Sequence, residues 1–184
     1  LAAKLKGGNA IVYSGDEPQP GRPGIMLPRE ELTVESMLHT ALESGGLSLH
    51  YQPILRANGG VEAVEGLMRC SVDGESISPA RFIPVAEKTG LITRLGEWSL
   101  LQGATCARRL HDLGHTTKVA INVSRVQLAS SSFTQALHAA LICSNVKPEH
   151  IELELTESLF MDISDTFQKN LHNAIFAGVK LTID

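Results

Sequence analysis

Four oxygen-bearing side chains stand at or near the ends of short alternating segments: Glu65 in VEAVEGLMR, Asn122 in KVAINVS, Glu154 in IELELTE and Asp184 in VKLTID. If these segments are parallel strands, the four side chains converge on one rim, the place where βα folds assemble their chemistry. Three carboxylates about 5 Å apart would repel by roughly 3 kcal/mol per pair at an effective dielectric near 20. A cation or a shared proton is therefore required. Oxygen ligands without a histidine suit a hard ion such as Mg²⁺ or Mn²⁺ better than zinc. Such an ion clamps phosphate oxygens and acidifies water for in-line attack. Arg69, on the same strand face as Glu65 and Leu67, is placed to grip a phosphate with its planar fork. The plain alternative is that these polar groups merely satisfy one another inside a barrel; four of them at comparable strand ends favour the metal site.

The elements that must hold these residues follow from periodicity. Segments 47–54, 61–69, 118–124, 151–157 and 179–184 alternate with period two. In the last three, Val119, Ile121 and Val123, then Ile151, Leu153 and Leu155, then Val179, Leu181 and Ile183 form apolar faces. Asn122, Glu152, Glu154, Thr182 and Asp184 lie on the opposite, polar face, which points into a barrel or cleft once helices cover the apolar side. Helical stripes separate the strands: Val34, Leu38, Ala41 and Leu42 before Gly45; Phe133, Leu137, Ala140 and Leu141 behind Ser130 to Ser132; Phe167, Leu171, Ala174 and Ile175 behind Ser164. A longer helix is expected over 93–113, with Leu95, Trp98 and Leu101 on one side, and Ser78-Pro79 opens a shorter one. GESISPARF reads as turns and caps. Only Arg56 to Gly60 separates the first two strands, too short for a parallel crossover, so an antiparallel hairpin is expected there. Elsewhere the alternation of strand and helix implies a largely parallel sheet.

Bulk properties narrow the function. With 184 residues, 43% of them hydrophobic, and a mean hydropathy of +0.04, the chain can build one sizeable core. A net charge of −4 argues against a nonspecific grip on DNA or RNA. Cys70, Cys106 and Cys143 are odd in number and widely spaced, so neither a disulfide framework nor a CxxC site is suggested, and a reducing cytoplasm is the natural setting. No apolar run is long enough to span a bilayer. His111 and His115 have helical ligand spacing, but Gly114 between them ends the helix and no acidic partner follows, so a metal role is not favoured there, and the remaining histidines are read as partly exposed surface. Residues 14–30, rich in proline and glycine, read as a linker; residues 1–13, LAAKLKGGNAIVY, read as a helix entered in its middle, then a turn and a short strand.

The stretches YQPI at 51–54, EGLMR at 65–69, SPARFIPVAEKTGLI at 78–92, INVS at 121–124, ELTES at 154–158 and GVKLTID at 178–184 occur in an order and spacing that resembles the EAL domain family, over residues 31–184. Residues 1–13 also look like the end of a GGDEF, or diguanylate cyclase-like, domain. The resemblance implies an α/β fold, a TIM-type (β/α)8 barrel with an antiparallel first strand, incomplete in this chain. It further implies a cyclic di-GMP phosphodiesterase that forms linear pGpG with Mg²⁺ or Mn²⁺. Glu65, Asn122, Glu154 and Asp184 would be the metal ligands, with Glu65 and Asp184 catalytic. Gln52 and Leu67 would lie at a guanine base, Arg69 on a phosphate, and Glu157 would anchor the loop after Asp184. Expected partners are cyclic di-GMP, an upstream GGDEF-like domain of the same polypeptide and a second copy in a homodimer. The setting implied is cytoplasmic, as a free protein or as the cytoplasmic part of a membrane-anchored sensor, with no membrane contact from this segment.

Two departures stand out. The signature reads Glu-Gly-Leu where the family has Glu-Ala-Leu, which adds backbone freedom but keeps the ligand. The chain also ends at Asp184, so it is expected to be part of a longer protein and not to be a competent enzyme by itself. The competing reading is a catalytically silent cyclic di-GMP receptor.

Overall fold

The computed structural model describes residues 28–155 and 164–183, so the expected upstream tail, Glu157 and Asp184 lie outside the described residues. Most of the expected linker does too, while its last three positions open the first helix.

That helix, α1 (Pro28–Ser44), starts on a proline, whose fixed φ and missing N–H suit a first turn. It buries Val34, Leu38 and Ala41, the face its sequence predicts. Gly45, at φ 83°, ends it in a conformation that other residues adopt only with strain. Gly46 then passes so close to the next strand pair that a Cβ there would stand 2.3 Å from the carbonyl oxygen of Ser71. The chain enters the expected hairpin through β1 (Leu47–Leu55) and β2 (Val61–Val72), which pair antiparallel.

A short strand, β3 (Glu75–Ile77), extends β2, correcting the reading of this stretch as turn and cap. Its three residues are too few to show a period. Next come α2 (Pro79–Thr89) and α3 (Leu91–Asp112). Pro79 takes the first turn of α2 as expected, but the Ser78 side chain makes no capping hydrogen bond. On α3 the buried face runs through Leu95, Leu100, Ala104 and Ala107, with Leu101 left 38% exposed, so the expected Leu95–Trp98–Leu101 face is rotated. Small residues set this rotation: a Cβ at Gly103 would stand 2.5 Å from Ile121 Cδ1, so the helix rests directly on the sheet.

The rest of the chain is βα units: β4 (Lys118–Asn122), α4 (Arg125–Leu128), α5 (Phe133–Ser144), a 3₁₀ turn (Pro148–His150), β5 (Ile151–Leu155), α6 (Asp165–Phe176) and β6 (Lys180–Ile183). Ser164 caps α6 by accepting a hydrogen bond from the Phe167 amide. Phe167 and Ala174 are buried as the stripe predicts, whereas Ile175 is 53% exposed. Asn170 is also buried, and its Nδ2 donates to the carbonyls of Leu128 at 2.8 Å and Ser130 at 2.7 Å, stitching α6 to the turn before α5.

The sheet order is β1-β2-β4-β5-β6, with β2, β4, β5 and β6 mutually parallel. Val119, Ile121, Leu153 and Leu155 are buried in one core with α3, α5 and α6, while α1, α2 and the front of α3 enclose a second core against β1 and β2. Helices thus cover one face of a mostly parallel sheet that begins with an antiparallel strand, the front of a TIM-like barrel.

His150 corrects the reading of the histidines as surface residues: it is 9% exposed and packs edge-on against His111, ring centroids 4.8 Å apart. No helix among the described residues is long and apolar enough to cross a membrane.

Candidate functional site

The parallel register brings the predicted residues to one end of the sheet. Asn122 is the last residue of β4, and it lies beside Glu154 of β5, which lies beside Thr182 of β6. Glu65 of β2 is level with Ala120, two residues back along β4. The side chains nevertheless meet: Asn122 Nδ2 donates to Glu65 Oε1 at 2.7 Å. With its nitrogen committed to that carboxylate, Asn122 keeps Oδ1 as an acceptor for a cation. Glu65, Asn122 and Glu154 thus supply oxygen donors from three neighbouring strands.

Among the described residues no group of three or more His, Cys, Asp or Glu side chains is placed to hold a metal ion. The donor set here has two carboxylates and an amide, and Asp184 lies outside the described residues. Its chemistry is oxygen throughout, which fits a hard divalent cation.

A cavity of about 710 Å³ opens beside this cluster, within the range of small-ligand sites. Leu67, Arg69, Asn122 and Glu154 all line it. Arg69 is partly tied down, its Nη1 donating to the carbonyl of Met68 at 2.9 Å. Gln52 stands directly across the hairpin from Glu65 and is exposed, but neither residue lines the cavity. Glu65 and Gln52 therefore stand outside the cavity, while Asn122, bonded to Glu65, lines it together with Glu154, Arg69 and Leu67.

Two features were not singled out from sequence. Glu152, two residues before Glu154 on the same face, is 6% exposed. Lys180 Nζ donates to both its oxygens at 3.0 Å, the Thr182 hydroxyl donates to Oε1, and Lys118 Nζ lies 3.9 Å away. Burial pushes the Glu152 carboxyl up, but the hydrogen bonds from Thr182 and Lys180 and the charges of Lys180 and Lys118 outweigh it and hold the group below the usual carboxylate range. Lys180 is correspondingly raised by its hydrogen bond to Glu152. This charged layer lies one register step below Asn122 and Glu154. Alternation alone does not separate Glu152 from Glu154; the lysine on the neighbouring strand marks Glu152 as a paired structural glutamate.

The second is the turn after Asn122. Ser124 and Gln127 form a capping box around α4: Gln127 Oε1 accepts from the Ser124 amide at 2.9 Å, and Ser124 Oγ accepts from the Gln127 amide at 3.3 Å. The spacing Ser-x-x-Gln is a legible sequence signal for this motif.

Comparisons with known proteins bear on the family and the fold. Residues 35–184 match the model of the EAL domain. The bifunctional diguanylate cyclase/cyclic di-GMP phosphodiesterase MucR of Pseudomonas aeruginosa is 37% identical over 159 residues, covering 85% of this chain and 23% of that protein. The cyclic di-GMP phosphodiesterase PdeR of Escherichia coli is 32% identical over 167 residues, covering 87% of this chain and 25% of that one. The chain thus spans about a quarter of the length of these curated relatives. Among solved structures, a complex of the P. aeruginosa MucR phosphodiesterase with c-di-GMP superimposes with a TM-score of 0.76 at 37% identity, over 83% of this chain and 63% of that chain. The FimX EAL domain of Xanthomonas citri, at 22% identity and a TM-score of 0.74 over 83% of this chain and 60% of that chain, shares the fold. By its matched sequence and its barrel-front architecture, the chain belongs to the EAL domain family.

Proposed function

We propose that this chain carries the front half of a cyclic di-GMP phosphodiesterase site that hydrolyses one phosphodiester bond to give linear pGpG. The observation that carries the reading is the 2.7 Å hydrogen bond from Asn122 to Glu65, with Glu154 in register beside Asn122 and Arg69 lining the adjoining cavity. It is supported by relatives whose names record cyclic di-GMP phosphodiesterase activity.

In this reading Glu65, Asn122, Glu154 and Asp184 hold Mg²⁺ or Mn²⁺. A divalent ion there supplies charge neutralisation on phosphate oxygens and a more acidic water. Arg69 offers its guanidinium to a non-bridging phosphate oxygen, at the cost of its bond to the Met68 carbonyl. Leu67 gives the cavity an apolar wall for a guanine base, Gln52 offers a carboxamide to the base edge, and Glu157 anchors the loop after Asp184. Residues 1–13 would end a GGDEF-like domain, and the working unit would be a cytoplasmic homodimer.

Calorimetric titration of a polypeptide carrying the complete barrel with Mn²⁺ tests the ligand assignment. Wild type is expected to bind, with affinity falling at least tenfold in Asn122→Ala, in the range typical of lost metal-site groups. Equal affinity in the two proteins would remove Asn122 from the site.

A further inference from the structure

We infer that Gln127 is a positioning residue for Asn122, and that Gly96 of α3 is the recess that admits it. The inference deepens the proposed site and rests on Asn122 being one of its ligands. Two bonds pin the backbone that leaves Asn122. The Val123 amide donates to the Glu154 carbonyl at 3.0 Å, and the Ser124 amide donates to Gln127 Oε1 at 2.9 Å. The first ties β4 to the strand carrying another candidate ligand. The second ties the strand end to a side chain that is itself only 4% exposed.

Gln127 can occupy this position because α3 has no side chain where it passes. A Cβ on Gly96 would stand 1.5 Å from Gln127 Nε2, 2.4 Å from its Cδ and 3.2 Å from its Cγ. Rotating the tip of the carboxamide alone cannot relieve a clash that reaches Cδ, so the carboxamide must leave its present position. Gly96 has no positive φ that would demand glycine for backbone reasons, so the recess is its distinguishing property. Gly96, Ser124 and Gln127 also line the same cavity as Asn122 and Glu154, so the latch is part of the wall of the site. A capping box by itself stabilises a helix start; one whose acceptor is buried in a neighbouring helix also fixes where the preceding strand ends, and with it the aim of Asn122 at Glu65.

The test is a double-mutant cycle of Gly96→Ala and Gln127→Ala in the complete barrel, read below the unfolding transition. Two signals are followed: the Asn122 side-chain amide resonances, which need neither metal nor turnover, and the Mg²⁺ dissociation constant. Each single variant is expected to shift the Asn122 amide and to raise the dissociation constant about tenfold. Adding Gly96→Ala to Gln127→Ala is expected to change it less than about twofold, because nothing is left to displace. Single effects that multiply in the double variant, or an Asn122 amide unmoved by Gly96→Ala, would overturn the inference. If wild type binds no Mg²⁺ while the amide shifts still show the coupling, the latch stands and the metal reading falls.

Discussion

Asn122 and Glu65 form a pair only because one is an amide. A carboxylate at 122 would meet Glu65 as a like charge at hydrogen-bond distance, whereas the amide donates with one end and keeps an oxygen for a cation. The glycine beside Glu65 is a separate matter. A Cβ on Gly66 would stand 3.4 Å from the Ala120 carbonyl oxygen and 3.5 Å from Leu49 Cδ1, ordinary contacts, and its backbone has no positive φ. Gly66→Ala is therefore expected to stabilise the protein by about 0.5 to 1 kcal/mol, through a less flexible unfolded chain, and to leave metal affinity unchanged. Denaturant unfolding checks the first part and calorimetry the second; a loss of stability would mean that the strand is packed more tightly than these distances allow. At this scale the candidate ligands were singled out because polar residues alternate with apolar ones near expected strand ends, although Glu65 proves to lie inside β2 (Val61–Val72) rather than at its end. Gln127 was not singled out, because its importance depends on an empty space on another helix, and periodicity does not report empty space.

The elements follow from patterns that a local reading can detect, with failures where tertiary packing decides. Glycines and proline mark α1 and α2, and Ser164 caps α6 as its position predicts. The face of α3 was misjudged because hydrophobicity favours Leu101, whereas the packing selects Gly103 and Ala104, which let the helix approach Ile121. Close approach also governs the junction of α1 and β1. A Cβ at Gly46 would stand 2.3 Å from the Ser71 carbonyl oxygen and 3.1 Å from Ala41 Cα, backbone atoms that cannot rotate aside. That glycine also accepts a hydrogen bond from the Ser71 amide at 2.8 Å, so retreat would break the contact. Gly46→Ala is expected to cost about 2 to 3 kcal/mol, the range for overpacking a rigid contact. A shift in the urea midpoint at unchanged m-value measures it, and a neutral result would show that the hairpin moves independently of α1.

For the whole molecule, the antiparallel start followed by parallel βα units gives a polar strand face whose layers have different roles. The lower layer, Glu152 with Lys180 and Thr182, is closed on itself by hydrogen bonds, while in the upper layer Glu65 accepts from Asn122, and Asn122 and Glu154 line a cavity. Alternation showed that both layers were polar; only the cross-strand pairing shows that Glu152 is held by Lys180 and Thr182. A net charge of −4 argues against a grip on polymeric nucleic acid, and in the proposed reading the two cavity-lining arginines, Arg69 and Arg125, would face a small anionic ligand instead. The most direct test is to incubate a polypeptide carrying the complete barrel with cyclic di-GMP and Mg²⁺ or Mn²⁺, and to separate the products chromatographically, with chelator and Glu65→Ala as controls. The account predicts pGpG from wild type and none from either control; nucleotide binding without product, or turnover that survives Glu65→Ala, would contradict it.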